Sequence, residues 1–259
     1  MTISCILKLD GVNNFRDYGG YRVAGGGRVK PGLLWRSAQH GDATTPDLEA
    51  IHSLGITHVI DLRGPSEREA KPCLRHDDFA ANVWTYPEET AGLALHTEAA
   101  NGVLTADDAR AAMLRLYEGI AFRSNLVPML KLYLELLRRD EGPSLVHCVA
   151  GKDRTGFAVA VLQRILGVHP DDVMADYLLT NTASKLDERI ASSAFKDMPR
   201  YAAFDAEAIR ALWGVEAAYL QVTLDSIEAR YSSFDAYLAE VLEIDQVAQD
   251  DLRRIYLEA

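Results

Sequence analysis

Cysteine is scarce in this chain, which has three in 259 residues, and nothing in their spacing suggests a disulfide framework. Unpaired cysteines are typical of proteins in a reducing compartment. Long apolar runs are also missing, since none approaches the roughly 20 residues that a membrane span requires. The start of the chain is too polar for a secretory signal peptide. These absences predict a cytoplasmic protein without stable membrane insertion.

The chain also has few positive charges. It contains 27 lysines and arginines against 38 aspartates and glutamates, which gives a formal net charge of −11. Affinity for DNA or RNA comes from neutralising phosphates with Lys and Arg. The composition therefore argues against general nucleic-acid binding, although it allows a local positive pocket. Hydrophobic residues make up 48% of the chain, enough to bury a full core. We expect a single domain over residues 1–259, with or without an insertion.

Strand-like and helix-like patterns alternate through the first two-thirds of the chain. Strands are predicted at 33–36, 56–62, 83–86 and 144–146, and helices at 45–54, 105–118, 125–139 and 157–166. The glycine run 25–27 predicts a hairpin turn, Thr45 is predicted as the N-cap of the helix that it opens, and residues 88–104 are predicted to form a mobile loop. After Asp171 the pattern is almost entirely helical. This order favours an α/β fold in which helices flank a mostly parallel central sheet, followed by a helix-rich C-terminal half.

The most informative segment is 147–156, which reads HCVAGKDRTG between a predicted strand and a predicted helix. A cysteine, five residues and then an arginine and a threonine is the spacing of a loop that wraps a phosphate. Such a loop closes against a helix N-terminus, where free backbone N–H groups and the positive end of the helix dipole attract an anion. The loop residues expected to bind the phosphate are Val149, Ala150, Gly151, Lys152, Thr155 and Gly156.

Each residue type in this loop has a chemical reason. The loop N–H groups would favour the thiolate of Cys148, which is the nucleophilic form, and the planar fork of Arg154 can grip two phosphate oxygens at once. The Thr155 hydroxyl is expected to donate to the thiolate, while Gly151 and Gly156 let the backbone approach the anion. The implied reaction is two-step phosphoryl transfer, in which Cys148 takes the phosphoryl group and water then releases it. Because the loop supplies the positive charge, we expect no metal ion and no cofactor.

Two other interpretations of Cys148 are weaker. It could be a buried core cysteine, which is what we expect of Cys5 and Cys73 because no motif surrounds them. A rhodanese-like sulfur transferase also uses a cysteine loop, but that loop ordinarily lacks the Arg-Thr-Gly ending. The sequence therefore favours a catalytic role for Cys148.

The motif resembles the active-site signature of cysteine-dependent protein tyrosine phosphatases, and especially that of a bacterial branch with broad specificity and exported members. Further segments share the resemblance: 14–20 (NFRDYGG), 34–37 (LWRS), 59–63 (VIDLR), 176–181 (DYLLTN), 214–220 (GVEAAYL) and 231–238 (YSSFDAYL). The resemblance implies a tyrosine-phosphatase-like fold and hydrolysis of phosphotyrosine in proteins, with some activity on phosphoserine, phosphothreonine and phosphoinositides. It also leaves open export without a recognisable signal peptide.

Phosphoryl transfer needs an acid to protonate the leaving oxygen, and the resemblance ties two aspartates to catalysis. Asp153, inside the loop, ranks first, and Asp61, at the end of a predicted strand, ranks second. The structural alternatives are a helix or turn cap for Asp61 and a salt bridge to Lys152 or Arg63 for Asp153.

One departure from the resembled family concerns this acid. Tyrosine phosphatases commonly carry it in a separate Trp-Pro-Asp sequence. The nearest analogue in this chain is 84–89 (WTYPEE), which lacks that aspartate. Glu88 is therefore a third and weaker candidate.

Several charged neighbours bear on the substrate. Lys152 adds a second cation to a loop that resembles those of phosphoinositide phosphatases, and it would favour substrates with more than one phosphate. A lipid phosphatase is therefore the alternative function, and a solvent-facing Lys152 is the structural alternative. By resemblance Arg63 is a phosphate-binding candidate and Arg16 lies near the site, although a structural ion pair is the favoured interpretation of both. His147 is expected to hydrogen-bond the loop backbone as a scaffold.

The segment 184–214 has the pattern of two short amphipathic helices, near 185–193 and 205–212. In a resembled phosphatase a helical pair covers the active site as a lid, so a lid and an ordinary packed hairpin are both open here. A catalytically inactive phosphate-binding module is a distant alternative, because it requires the loss of the cysteine, the arginine or the acid, and the sequence has all three. The expected partners are phosphotyrosine proteins or phosphoinositides as substrates.

Overall fold

The computed structural model describes residues 6–90, 105–139, 142–192 and 204–259. Within them, the central sheet is formed by β1 (Arg16–Asp17), β3 (Leu34–Ser37), β4 (His58–Asp61), β5 (Asn82–Thr85) and β6 (Ser144–His147). The strand order is β1-β3-β6-β4-β5; β1 runs antiparallel to β3, and the other neighbouring pairs are parallel. The prediction of a mostly parallel sheet is confirmed. Strands β2 (Arg28–Val29) and β7 (Leu257–Glu258) form a separate antiparallel pair.

Helices connect and flank the strands. Before β6 they are α1 (Thr45–His52), α2 (Pro65–Ala70), α3 (Ala106–Ile120) and α4 (Val127–Leu137). After β6 they are α5 (Asp153–Ile165), α6 (Pro170–Leu178), α7 (Thr180–Ala183), α8 (Leu186–Ala191), α9 (Ala206–Trp213), α10 (Ala217–Arg230), α11 (Phe234–Glu240) and α12 (Gln246–Tyr256). The α/β class and the helix-rich C-terminal half are therefore confirmed.

Apolar residues on the two faces of the sheet build two separate cores. Neighbouring residues of a strand point to opposite faces. Ile60 and Val146 accordingly join the larger core with α3, α4, α5 and the C-terminal helices, whereas Val59 and Leu145 join a smaller core. Helix α1 packs on the smaller core through side chains such as the partly buried Leu48. The sheet is thus covered thickly on one face and thinly on the other.

Local hydrogen bonds set the boundaries of helices and turns. The Thr44 Oγ1 atom accepts a hydrogen bond from Asp47 N (3.3 Å), and the Asp47 carboxylate accepts one from Thr44 N (2.9 Å). This capping box needs the acidic residue three positions after the cap, so the prediction of Thr45 as N-cap is wrong and Thr44 is the cap. The hairpin at 25–27 is confirmed, with positive φ at all three glycines and an antiparallel bridge across them.

Parallel pairing brings three strand ends to one edge of the sheet. Ser37 and Asp61 both lie opposite His147 in the register of β3, β4 and β6. The loop that follows His147 therefore begins beside the ends of two other strands, at the edge where α/β folds place their binding sites. The predicted mobile loop at 88–104 falls outside the described residues, apart from its first three. None of the described helices is long and apolar enough to cross a bilayer.

Candidate active site

The loop 148–152 links β6 to α5 and places Cys148 beside the N-terminus of that helix. Cys148 is 2% exposed. The first turn of a helix has N–H groups without intrahelical partners, and the helix dipole makes that end positive. Together these groups suit an oxyanion held next to the Cys148 sulfur.

Gly151 marks a close approach between the loop and β3. Its φ is +65°, and a Cβ at this position would lie 2.3 Å from Ser37 O, so only glycine fits. The Gly151 carbonyl accepts hydrogen bonds from Asn14 Nδ2 (2.7 Å) and Arg36 Nη2 (3.0 Å). Asn14 Nδ2 also lies 3.3 Å from Ala150 O. The loop is therefore fixed in shape by β3 and by the segment that precedes β1.

A buried ion cluster anchors these supports. Asp176 of α6 accepts hydrogen bonds from Arg16 Nε (3.3 Å) and Arg36 Nη1 (2.8 Å). Burial alone would raise the pKa of Asp176, but the two guanidinium groups outweigh this effect and hold the pKa below its ordinary value. Arg16 also donates to Asn14 Oδ1. The structural ion pair expected for Arg16 is present, and it reaches the loop through Asn14.

Arg154 of α5 is held in a fixed orientation by α2. Its Nη1 and Nη2 atoms donate to the two carboxylate oxygens of Glu67 (2.6 and 2.7 Å), and Nη1 also donates to Leu62 O (3.1 Å) and Thr90 Oγ1 (3.0 Å). Burial would lower the pKa of Arg154, but hydrogen bonding to Glu67 and the neighbouring Cys148 raise it above its ordinary value. The guanidinium is therefore charged and held in a fixed orientation, which suits a ligand for phosphate oxygens.

Asp153, the first residue of α5, lies at the end of a chain of buried hydroxyl groups. Its Oδ1 accepts a hydrogen bond from Tyr117 Oη (2.7 Å) and lies 3.5 Å from Lys152 Nζ. Tyr177 Oη donates to Tyr117 Oη (2.8 Å). Burial raises the pKa of both tyrosines well above the ordinary value, so both keep their protons. Within the described part of the chain the other carboxylate oxygen of Asp153, Oδ2, has no hydrogen-bond partner.

Lys152 is fully buried, so the solvent-facing alternative is not observed. Its Nζ donates to Leu212 O and to Gly214 O (3.0 Å), at the C-terminal end of α9. A cation at this position stabilises a helix C-terminus. The same contacts anchor the end of the segment 184–214 to the loop and favour the packed alternative for α9. Residues 193–203 of that segment lie outside the described residues.

Asp61 and Arg63 form a closed ion pair at the end of β4. The Asp61 carboxylate accepts hydrogen bonds from Arg63 N (3.0 Å), Nε (2.9 Å) and Nη2 (2.7 Å). Burial would raise the pKa of Asp61, but His147, at 3.7 Å, and Arg63 outweigh it and lower the pKa to about 2. An aspartate held ionised in this way is a poor proton donor at neutral pH. Arg63 Nη1 donates a hydrogen bond to Gln39 Oε1 (2.9 Å). The Arg63 guanidinium is therefore occupied by Asp61 and Gln39 and holds these two residues in place.

His147 is a buried scaffold directly before Cys148. Burial lowers the pKa of His147 to about 4, so the ring is neutral at pH 7. Its Nδ1 lies 3.3 Å from Cys148 O, which is the expected contact with the loop backbone. The ring stacks on His40, with 5.5 Å between centroids, and His40 Nε2 lies 3.0 Å from Ser37 Oγ.

Comparison with known proteins shows the family to which the chain belongs. The sequence model of the "Tyrosine phosphatase family" matches residues 7–258. The chain belongs to this family. A Cupriavidus necator protein named as a tyrosine-protein phosphatase is 34% identical over 97% of this chain and 88% of its own length. The triple specificity protein phosphatase PtpB of Mycobacterium tuberculosis is 29% identical over 97% of this chain and 99% of its own length. The protein is thus a tyrosine phosphatase, a hydrolase of phosphoric monoesters.

A solved structure with a weaker similarity is that of TpbA from P. aeruginosa. It is 16% identical and covers 74% of this chain and 96% of its own length, with a TM-score of 0.32. That similarity is too low to bear on the site of this phosphatase.

The structure bears on three further site residues named from the sequence. Thr155 Oγ1 is buried and has no hydrogen-bond partner among the described residues, so the expected bond to Cys148 Sγ is not formed. Glu88 is exposed to solvent. Gly156 serves packing as well as turning, because a Cβ there would lie 3.0 Å from the ring of Tyr177.

Several supporting residues of the phosphatase site were not predicted. The position of Glu67 in the sequence could have pointed to the site. Glu67 lies in the first turn of the helix that follows β4, and β4 ends beside the loop. Asn14 could also have been found, because the segment 14–20 shares the family resemblance. Tyr117 could not, since a tyrosine in an amphipathic helix predicts only a core residue.

Proposed function

We propose that this phosphatase hydrolyses phosphotyrosine in proteins through a cysteinyl phosphate on Cys148. In the first step the Cys148 sulfur bonds to phosphorus as the bond from phosphorus to the tyrosine oxygen breaks, and Asp153 gives its proton to that oxygen. In the second step a water oxygen bonds to phosphorus, the sulfur leaves, and the water proton passes to Asp153. Arg154 and the N–H groups of 149–156 hold the phosphoryl oxygens in both steps.

The observation that carries this proposal is the bidentate pairing of Arg154 with Glu67 beside Cys148. A guanidinium that is already fixed loses little freedom when it binds the phosphoryl oxygens. It therefore stabilises charge where charge develops in the transition state. Asp153 is the proposed acid because its Oδ2 has no hydrogen-bond partner among the described residues. The Asp61 carboxylate, by contrast, accepts several hydrogen bonds from Arg63.

Phosphotyrosine is favoured over phosphoinositides by the position of Lys152. The lipid alternative needs a cation that is free to meet a second phosphate. The Lys152 ammonium instead donates to Leu212 O and Gly214 O and is fully buried. A phosphoinositide would have to displace these contacts before it gained the charge of Lys152.

We also propose that the chain acts as one domain in the cytoplasm. Its larger core includes residues from Tyr18 to Tyr256, which supports one cooperative unit. Both described cysteines, Cys73 and Cys148, are free thiols, as expected in a reducing compartment.

The test is phosphate release from a phosphotyrosine peptide, a matched phosphoserine peptide and a phosphoinositide, with EDTA present. We expect the wild type to be fastest on phosphotyrosine and Cys148→Ser to lose at least about 1,000-fold in rate. Cys73→Ser is the matched control for loss of a thiol and should stay within about threefold of the wild type.

Two results would contradict the proposal. Full activity of Cys148→Ser would rule out the cysteinyl phosphate. A higher kcat/KM on the phosphoinositide than on the phosphotyrosine peptide would show that the enzyme is a lipid phosphatase instead.

A further inference from the structure

A cavity of about 500 Å³ lies on the thinly covered face of the sheet, between α1, β4 and the residues before β5. Its apolar wall is formed by Leu48, Ile51, Val59, Leu74, Phe79 and Leu145. None of the residues of the loop 148–152 lines it. A volume of this size is typical of small-molecule sites.

Part of the apolar wall is exposed to solvent in the described part of the chain. Leu74 is 46% exposed and is one of three large apolar side chains in the described part of the chain that are exposed. Leu48, Ile51 and Phe79 are only partly buried around the same cavity. A single exposed leucine is ordinary, whereas a concave apolar surface of this kind marks a site of contact.

Arg75 places a positive charge in this apolar wall. Its Nη1 lies 3.3 Å from His40 Nδ1, and its guanidinium lies 5.0 Å from the centre of the Phe79 ring. No carboxylate among the described residues lies within salt-bridge distance of Arg75. Burial lowers the pKa of Arg75, with only partial compensation from Cys73 and Asp61. The cavity therefore contains a partly desolvated cation that lacks an anionic partner.

The rim of the cavity carries flat rings. His52 and His76 stack with 4.2 Å between centroids and an angle of 9°, and Asp78 lies beside them, within 4.8 Å by its carboxylate. Asp78 N donates to His76 Nδ1 (3.1 Å), so Nε2 carries the proton in the neutral ring and is not a ready metal ligand. The stacked pair instead offers a flat surface to an aromatic ring.

We propose that this cavity binds a small organic anion. Its aromatic or alkyl body lies against the apolar wall, and its carboxylate or sulfonate pairs with Arg75. The pairing supplies the missing counter-ion and is strengthened by partial burial. The site is separate from the phosphate loop and does not depend on which phosphate ester the enzyme hydrolyses.

The test uses two fluorescent probes with the same rings, 8-anilino-1-naphthalenesulfonate, which is an anion, and N-phenyl-1-naphthylamine, which is uncharged. We expect the folded wild type to bind the anion at one site and saturating orthovanadate, a phosphate analogue, to leave that binding unchanged. Arg75→Met should weaken binding of the anion about tenfold and change binding of the neutral probe by less than about twofold. Arg115→Met, at an exposed arginine of α3, is the matched charge control and should bind both probes as the wild type does.

Two cavity variants test the apolar part of the site. Ala81→Phe should fill the cavity and weaken binding of both probes. Leu74→Gln, at an exposed position of the wall, should weaken binding of both as well. Thermal melting confirms that each variant is folded. Displacement of the anion by orthovanadate would place it in the active site and overturn the proposal. So would equal affinity of Arg75→Met and the wild type for the anion, or unchanged binding of both probes by Leu74→Gln.

Discussion

The hydroxyl of Tyr117 donates a 2.7 Å hydrogen bond to Oδ1 of Asp153, and the two residues come from different helices, α3 and α5. The bond fixes one carboxylate oxygen and leaves Oδ2 as the oxygen that would exchange a proton with substrate in the proposed mechanism. Tyr177 fixes the Tyr117 hydroxyl in turn. Tyr117 is therefore a positioning residue for the candidate acid.

The first prediction concerns dependence on the leaving group. Asp153→Asn should lower kcat/KM on phenyl phosphate by about 100-fold and on p-nitrophenyl phosphate by much less, because nitrophenolate leaves without a proton. Tyr117→Phe should show the same selective loss at about tenfold on phenyl phosphate. Tyr133→Phe, which removes a buried hydroxyl bonded to Tyr18 instead, should affect both esters equally. An equal loss on both esters in Asp153→Asn would assign the acid elsewhere.

The second prediction concerns the partner of Arg154. Glu67→Gln removes the charge that holds the guanidinium fork, so we expect kcat/KM on a phosphotyrosine peptide to fall by about 10- to 100-fold. Glu69→Gln changes an exposed glutamate of the same helix and should stay within about twofold of the wild type. Steady-state kinetics of the two variants checks this, and equal activities would show that Glu67 does not orient Arg154.

The third prediction concerns Gly151. Gly151→Ala forces a Cβ to within 2.3 Å of Ser37 O at a φ of +65°, so the loop must move and phosphate release should fall below about 1% of the wild type. Gly119→Ala is the matched control, because a Cβ there meets nothing within 4 Å inside α3. Alanine is a better helix former than glycine, so this variant should keep its activity and melt slightly higher. Wild-type activity in Gly151→Ala would contradict the fixed loop.

The fourth prediction concerns Lys152. Lys152→Met leaves Leu212 O and Gly214 O without their buried donor, which should lower the free energy of unfolding by about 1–3 kcal/mol. Lys131→Met removes a partly exposed lysine paired with the exposed Glu243 and should cost less than about 1 kcal/mol. Urea denaturation of both variants makes the comparison. If Lys152→Met instead lost phosphoinositide activity while its free energy of unfolding stayed near that of the wild type, the ammonium would contact the substrate.

The fifth prediction concerns acid stability. Burial lowers the pKa of His147 to about 4, whereas an unfolded histidine titrates near 6.5. Between these values the unfolded state binds the extra proton, so the free energy of unfolding should fall as pH drops, by about 2 kcal/mol from pH 6.5 to 5 for this residue. Below pH 4 the Asp61–Arg63 pair adds a further loss, because the lowered pKa of Asp61 stabilises the fold only while its carboxylate is ionised.

Denaturation midpoints at several pH values measure this slope. His147→Gln should show a shallower slope between pH 7 and 5 than the wild type. His169→Gln, at an exposed histidine, should keep the wild-type slope. Parallel slopes in all three proteins would mean that His147 does not control the acid response.

The sequence predicted those parts of the fold and site that depend on short stretches of neighbouring residues. Apolar runs such as Val59–Ile60 and Leu145–Val146 predicted buried strands, and the spacing of Cys148 and Arg154 predicted the loop. The supports of the site come from elsewhere, since Glu67 is 87 residues from Arg154. Such contacts depend on how helices pack, which a local pattern does not encode.

Lys152 shows the same limit in another way. The sequence places Lys152 in the predicted phosphate loop but does not give the direction of its side chain. The structure turns Lys152 toward the end of α9, whereas Arg63 forms the structural ion pair expected for it, with Asp61. A cation near a loop is therefore a candidate ligand only until its carbonyl and carboxylate neighbours are known.

The pair of Arg16 and Asp176 joins positions 160 residues apart, and the bond from Asn14 to Gly151 joins positions 137 apart. During synthesis the catalytic motif is complete before Asp176, the centre of the ion cluster, is added to the chain. A ribosome-bound chain that ends shortly after the motif would contain the nucleophile and the arginine but not the ion cluster. Contacts of such long range form late and slow folding. Phosphatase activity would then require the arrival of α6 as well as the motif itself.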